Sequence, residues 1–215
     1  YAFLGYVEHE KPDVFTGWNI KFFDIPYLVS RINHVLRGDF AKKLSPWKKI
    51  RARTVTKMNK ENTTFEIYGV ATLDYYDLYR NFTYVNQESY RLDHIASVEL
   101  GEKKLSYEEF DSMAEFYKND FQKFMEYNVK DVQLVFKLEE KMKLLELACA
   151  LAYSAKVNYK DVFSQVRTWD TIIYHYLSDH NIVIPPKRHG SKNQQYAGAY
   201  VKEPIVGMHE WIVSF

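Results

Sequence analysis

The spacing of apolar and polar positions changes several times along the chain, and each change marks an expected element. DVFTGWNI, residues 13–20, reads as an apolar strand. After a short polar break, FFDIPYLVSRINHVLRG carries apolar residues at helical spacing as far as Gly38. A strand handing over to a helix is the opening of an α/β layer. KIRARTVTKM and TTFEIYGVATLDYYDLY alternate in the strand manner on either side of the turn-like NKEN, which predicts a β-hairpin. SYRLDHIASVELGEKKLSYEEF reads as a polar segment. A long helical region follows from about Met113 to Lys156, with Phe121, Phe124, Met125, Val129, Val132, Val135 and Phe136 as its apolar positions. TWDTIIYHYLSDHN is a further helix, IVIPPKRHGSKNQQ an extended linker, and YAGAYVKEPIVGMHEWIVSF a strand pair with a Gly-containing turn. Boundaries are expected near Lys143 and Pro186, and the chain holds no internal repeat, low-complexity tract or heptad array.

With 215 residues, 47% of them hydrophobic, the chain is long enough for one large domain or two modest ones with a packed core. A formal charge of +1 excludes a uniformly basic coat. Locally the picture differs: residues 42–60 hold Lys42, Lys43, Lys48, Lys49, Arg51, Arg53, Lys57 and Lys60 and no acid, so the hairpin has a basic flank. The 18 Tyr and 14 Phe fill the core first and are also the side chains on which unpaired bases stack. The single Cys149 lies in apolar LLELACALAY, so no disulfide framework exists and a reducing compartment is expected. No apolar run approaches the roughly 18 residues that span a bilayer, and the start lacks a signal-peptide pattern, so a soluble protein without membrane attachment is expected. The chain opens on Tyr1 and closes on Phe215 directly after strand-like EWIVSF, which reads as a piece of something longer.

Two short constellations carry candidate chemistry. In GWNIKFFDIPY, Asn19 and Asp24 stand where the strand hands over to the helix. A carboxylate there suits a hard metal ion facing a crevice, or serves as a helix N-terminal acid answering free N–H groups and the dipole. In EYNVKDVQ, Tyr127 and Asp131 are four apart and share one helix face. A phenol one turn from a carboxylate orients a water for attack on a phosphodiester, or is an ordinary helix surface pair. Asp74 and Asp77 in LDYYDLY fall on opposite sides of a strand, which leaves one inward acid rather than a metal pair. The seven His show no zinc spacing, and no P-loop or G-x-G-x-x-G is present, so zinc, ATP and dinucleotide sites are not supported.

Taken in this order and about a hundred residues apart, the two constellations resemble the second and third exonuclease motifs of family B DNA polymerases, N-x(2–3)-F/Y-D and Y-x(3)-D. With four residues between Asn19 and Asp24, NIxxFD is similar to the form in polymerases of T-even-type bacteriophages. PDVFTGWNIKFFDIPYLVSRI, GVATLDYYDLYRNF, SYRLDHIA, YNVKDV, TWDTIIYHYL and YAGAYVKEP fall in that family's order, so the resemblance covers nearly the whole chain.

The resemblance implies an α/β, ribonuclease H-like 3′→5′ exonuclease domain over residues 1–143, a mixed sheet flanked by helices, with a β-hairpin at about 55–69. It further implies a helical segment of a neighbouring domain over 144–186, and a linker and the start of the palm over 187–215. Asp24 and Asp131 would be two of four acids holding a pair of Mg²⁺ or Mn²⁺ ions, Tyr127 would position the attacking water, and Asn19 would contact the DNA 3′ end. The other two acids belong to a D-x-E motif upstream, and no Asp-x-Glu occurs anywhere in the chain. The isolated chain is therefore expected to bind metal weakly and to hydrolyse DNA poorly or not at all. The hairpin would help part primer from template, with Lys57 and Lys60 on phosphates; a solvated flap is the alternative. YAGAY, with Tyr196 and Gly198, resembles the family's Tyr-Gly-rich motif on the single-stranded template, or is a plain hairpin turn. Expected partners are single-stranded and primer-template DNA, the rest of the polymerase polypeptide and, through segments not present, a sliding clamp. The expected location is the cytoplasm of an infected bacterial host. The rival readings are a non-catalytic single-stranded DNA-binding module of a split polymerase and a stand-alone exonuclease of the same fold.

Overall fold

In the computed structural model, residues 1–57, 60–104, 112–186, 198, 200, 202–203 and 205–211 are described, the side chains of Lys57 and Lys60 excepted. Helix α1 (Ala2–Glu10) buries Leu4 and Val7, which are three apart and so share a face. Strand β1 (Val14–Gly17) follows, then α2 (Asp24–Leu36), which buries Ile25, Val29 and Ile32 at helical spacing. Pro26 falls in its first turn, where a missing N–H costs nothing. The helix closes one residue before the expected Gly38, with Arg37 in the left-handed conformation and its N–H on the Asn33 carbonyl. A short 3₁₀ turn over Asp39–Leu44 leads to the expected hairpin, β2 (Ile50–Lys57) against β3 (Lys60–Ile67), antiparallel from Ile50–Ile67 out to Lys57–Lys60.

Strand β4 (Ala71–Asp74) runs parallel to β1, Val14 opposite Ala71 and Gly17 opposite Asp74. The connection through α2 supplies the crossover that parallel pairing requires. Here the strand reading of YYDLY is corrected: Asp74 caps α3 (Tyr75–Phe82) by accepting the Tyr76 N–H, and the chain turns helical. The tyrosines suggested a strand, but the cap and the burial of Tyr75, Leu78 and Tyr79 at i, i+3, i+4 override that propensity. SYRLDHIASVELG, read as polar, also contains a helix, α4 (Leu92–Leu100), closed by left-handed Gly101.

The helical region from Met113 to Lys156 consists of three helices: α5 (Met113–Asn119), α6 (Phe121–Met142) and α7 (Leu144–Ala155). Asp120 caps α6 through the Lys123 N–H, and left-handed Lys143 separates α6 from α7. What α6 buries is Tyr127, Leu134 and Leu138, while Phe121, Met125, Val129, Val132 and Phe136 are exposed. The helix is apolar on more than one side, and the side that α4 covers is not the one the pattern singled out. A 3₁₀ turn over Tyr159–Phe163 and α8 (Gln165–Asp179) complete the helices, α8 capped by Ser164. No strand occurs among the described residues from 198 to 211, so the expected C-terminal strand pair is absent there.

Two clusters of buried side chains result. Leu73, Tyr75, Leu78, Ile95, Leu134, Leu138, Ala148 and Ala152 join β4 to α3, α4, α6 and α7. Leu4, Val7, Ile25, Val29, Ile32, Ile67 and Val70 join α1, α2 and the hairpin base. The molecule is mixed α/β with small sheets between helices, consistent with the ribonuclease H-like arrangement.

Candidate active site

The parallel strands β1 and β4 end together at the pair Gly17 and Asp74, and a cleft lies just beyond their carboxyl ends. That is where open α/β layers place ligands. Gly17 has φ +156°, and a Cβ on it would come within 2.5 Å of the Ile20 Cγ2, so only glycine lets the chain turn this tightly. Trp18 follows and donates its indole N–H to the Tyr90 carbonyl at 3.2 Å. Asn19 adopts φ +61°, a conformation asparagine tolerates better than most residues, and its carbonyl accepts the Phe22 and Phe23 N–H groups at 3.3 and 3.2 Å. The chain then enters α2 with Asp24 as its first helical residue.

Asp24 thus stands both in the first turn of α2 and in the lining of the cleft. Its pKa is raised above the ordinary 3.8. Desolvation is the main cause, its own backbone N–H offsets part of the rise, and the charge of Asp131 adds to it. Opposite stands α6, where Tyr127 and Asp131 are one turn apart and both line the cleft. Tyr127 is buried, its ring edge-on to Phe116 of α5 at 6.1 Å.

The Asp131 carboxylate is divided in its contacts. Oδ2 accepts from the Lys104 ammonium at 2.6 Å, while Oδ1 is buried and has no hydrogen-bond partner among the described residues. An unpartnered buried carboxylate oxygen beside a second carboxylate is costly unless a cation joins it. Hard oxygen donors of this kind fit a divalent cation such as Mg²⁺ or Mn²⁺. Asp24 and Asp131 are the residues that fit one; among the described residues no group of three or more acids, His or Cys gathers for the purpose.

Lys104 was not singled out in the sequence. Its ammonium also lies 5.5 Å from the Tyr127 ring centroid, so it touches both site residues of α6. Its backbone N–H donates to Asp93 Oδ1 at 2.8 Å, and neighbouring Glu102 is clasped by Lys130 and Lys137 of α6. Those two lysines hold the Glu102 carboxyl down at about 2. The only sequence signal was a pair of lysines in a polar segment. The cleft has an aromatic wall as well: Trp18 stands edge-on to Tyr76 at 6.0 Å, and Tyr76 edge-on to Tyr90 at 6.1 Å.

The remaining candidates do not join this cleft in what is described. Lys57 and Lys60 pair at the outer end of the hairpin backbone, and their side chains lie outside the described residues, as does Tyr196. Gly198 is exposed, without a left-handed φ, and a Cβ there would meet nothing within 4 Å. No described helix is long and apolar enough to cross a membrane.

Comparison with known proteins gives a consistent picture. Residues 1–95 match the sequence model of the DNA polymerase family B exonuclease domain. The chain is 36% identical over 213 residues to a DNA-directed DNA polymerase of Escherichia phage RB69, covering 99% of this chain and 23% of that protein. It is 32% identical over 208 residues to the DNA-directed DNA polymerase of Enterobacteria phage T4, covering 97% and 23%. Similarity to the DNA polymerase delta catalytic subunit of Schizosaccharomyces pombe is 27% over 216 residues, 95% of this chain and 20% of that one. The chain spans less than a quarter of the length of each of these three relatives.

Proposed function

From the premise that the chain belongs to the exonuclease-domain region of the family B DNA polymerases, we propose that it carries part of a proofreading 3′→5′ exonuclease acting on single-stranded 3′ ends. The observation that supports this most directly is the buried Oδ1 of Asp131, which has no partner among the described residues, in a cleft it shares with Asp24. In this reading Asp24 and Asp131 would hold divalent cations, whose charge would stabilise the attacking and leaving oxygens of an in-line displacement. The Tyr127 hydroxyl orients the water that attacks phosphorus. The P–O3′ bond breaks, a nucleoside monophosphate leaves, and the shortened strand keeps a 3′ hydroxyl. Asn19 contacts the 3′-terminal nucleotide, and Trp18, Tyr76 and Tyr90 offer faces to unpaired bases without reading their sequence. A mismatched terminus unpairs more readily than a matched one, so it reaches the cleft more often and is trimmed.

Two carboxylates are half of the four this chemistry uses in the family, so the chain by itself is expected to hydrolyse DNA poorly. Residues 1–143 would form the exonuclease portion, 144–186 part of a neighbouring domain and 187–215 a linker toward the palm. Lys57 and Lys60 would meet phosphates at the hairpin tip, and Tyr196 and Gly198 the template strand. The longer polypeptide would work on primer-template DNA in an infected bacterial cell; no clamp contact is assigned to any residue here.

The test is degradation of a 3′-labelled single-stranded oligonucleotide with Mn²⁺ by the polypeptide extended upstream in its own reading frame, beside its Asp131→Ala form. Cleavage that disappears in the variant supports the nuclease, with a loss of about a thousandfold or more, several kcal/mol of transition-state stabilisation. An extended wild type that binds the oligonucleotide without cutting it makes the chain a non-catalytic DNA-binding module.

A further inference from the structure

Asp74 is one of the few buried charged residues among those described, at 2% exposure, and the chemistry proposed above does not use it. Its carboxylate accepts three backbone N–H groups. Oδ1 takes Asn19 at 2.8 Å and Tyr76 at 3.1 Å, and Oδ2 takes Lys21 at 3.0 Å. The Tyr76 bond is local and caps α3, but the other two cross 55 and 53 residues to the turn between β1 and α2. A charged acceptor shared by three donors is worth more than any neutral pair, and removing it would orphan backbone groups in the strand-to-helix turn.

The placement matters because that turn is strained and short. Gly17 is closed against Ile20, Asn19 is left-handed, and five residues after Asn19 the chain presents Asp24. On the other strand, Asp74 belongs to the last pair of the β1–β4 ladder, so it ties the turn to the sheet rather than to another loop. Burial raises its pKa despite the N–H bonds that work against the rise, so the carboxylate is kept here at a cost.

We propose that Asp74 is a positioning residue for the exonuclease site: its buried carboxylate clamps the Asn19 and Lys21 backbone and so sets where Asn19 and Asp24 stand in the cleft. This rests on the function proposed above. It acts through the turn and touches neither substrate nor metal.

Asp74→Asn is the discriminating variant, because it keeps the shape and an Oδ1 acceptor but sets an amide NH₂ against the Lys21 N–H. In the upstream-extended polypeptide it is expected to raise KM for a single-stranded 3′ end and to move the Mn²⁺ concentration for half-maximal activity upward. The combined loss in kcat/KM should be on the order of tenfold to a hundredfold, as when a supporting partner of a site residue is removed. Amide hydrogen exchange at Asn19 and Lys21 should quicken, and Asp74→Glu should not restore the wild-type values, since the longer side chain displaces the clamp. A variant that merely folds less well loses kcat in proportion to its unfolded fraction, with KM and the Mn²⁺ midpoint unchanged; that result overturns the proposal while wild-type activity keeps the function. A wild type without exonuclease activity overturns the function, and this inference with it.

Discussion

At the residue scale, two groups of ionised side chains bear on the cleft and its rim. Lys104 is the counter-ion of Asp131, with both side chains less than a third exposed. Lys104→Met should therefore lower the stability of the metal-free protein by about 1–2 kcal/mol, between the values for exposed and fully buried pairs. In the upstream-extended polypeptide, added Mn²⁺ should recover much of the loss, because a cation held by Asp24 and Asp131 would supply the missing charge. Thermal melting with and without Mn²⁺ measures both effects, and equal losses in the two conditions would refute the role. Glu102 gives a pH prediction. Its carboxyl is held at about 2 by Lys130 and Lys137, below the ordinary 4.5. A depressed carboxylate contributes stability above its unfolded pKa and loses it as pH falls toward the folded one. Glu102→Gln should thus lower the melting midpoint near pH 7, and the difference from wild type should fade as pH falls from 4.5 toward 2. Melting curves across that range decide it.

At the scale of elements, caps and insertions explain what is rigid and what is dispensable. The hairpin is anchored at its base, where Ile67 is buried and Phe65 packs against the α1–α2 core, while β2 runs exposed toward the tip. Replacing residues 54–63, beyond buried Thr64, with a short turn should leave the melting midpoint nearly unchanged. In the upstream-extended polypeptide it should spare cleavage of single-stranded oligonucleotides and slow cleavage of primer-template ends. Side-by-side assays on the two substrates test this, and equal slowing on both would rule out a strand-parting role. α7 is the opposite case. It begins at the left-handed break of Lys143, yet Leu144, Ala148 and Ala152 enter the same buried cluster as Leu73 and Leu78.

On the scale of the whole molecule, that shared cluster bears on how the chain divides. Leu134 is fully buried where α3, α4, α6 and α7 meet, so Leu134→Ala should cost about 2–5 kcal/mol and shift the whole unfolding transition. A polypeptide ending at Lys143 would expose the faces that α7 covers, and it should melt with lower cooperativity than the full 215 residues. Calorimetry of both chains is the measurement. A Lys143 truncation as cooperative as the full chain would make residues 1–143 a self-sufficient unit.

Local chemistry made part of this protein legible without a structure. The strand before Asn19, the helix after Asp24 and the hairpin around NKEN followed from periodicity and turn residues alone. The pairing of Tyr127 with Asp131 followed from helical spacing. Other features depended on partners distant in sequence. YYDLY had strand propensity, but Asp74 capped a helix and tertiary burial of Tyr75 and Tyr79 kept it. The apolar side of α6 was misread because Leu134 and Leu138 were defined as core by α4 and its neighbours. Lys104 and Asp74 gained meaning only when folding brought one against Asp131 and the other beneath Asn19. Periodicity and capping act over a few residues and can be read along a line, whereas which faces are covered and which charges meet are set by contacts tens of residues apart, and these only the tertiary structure decides.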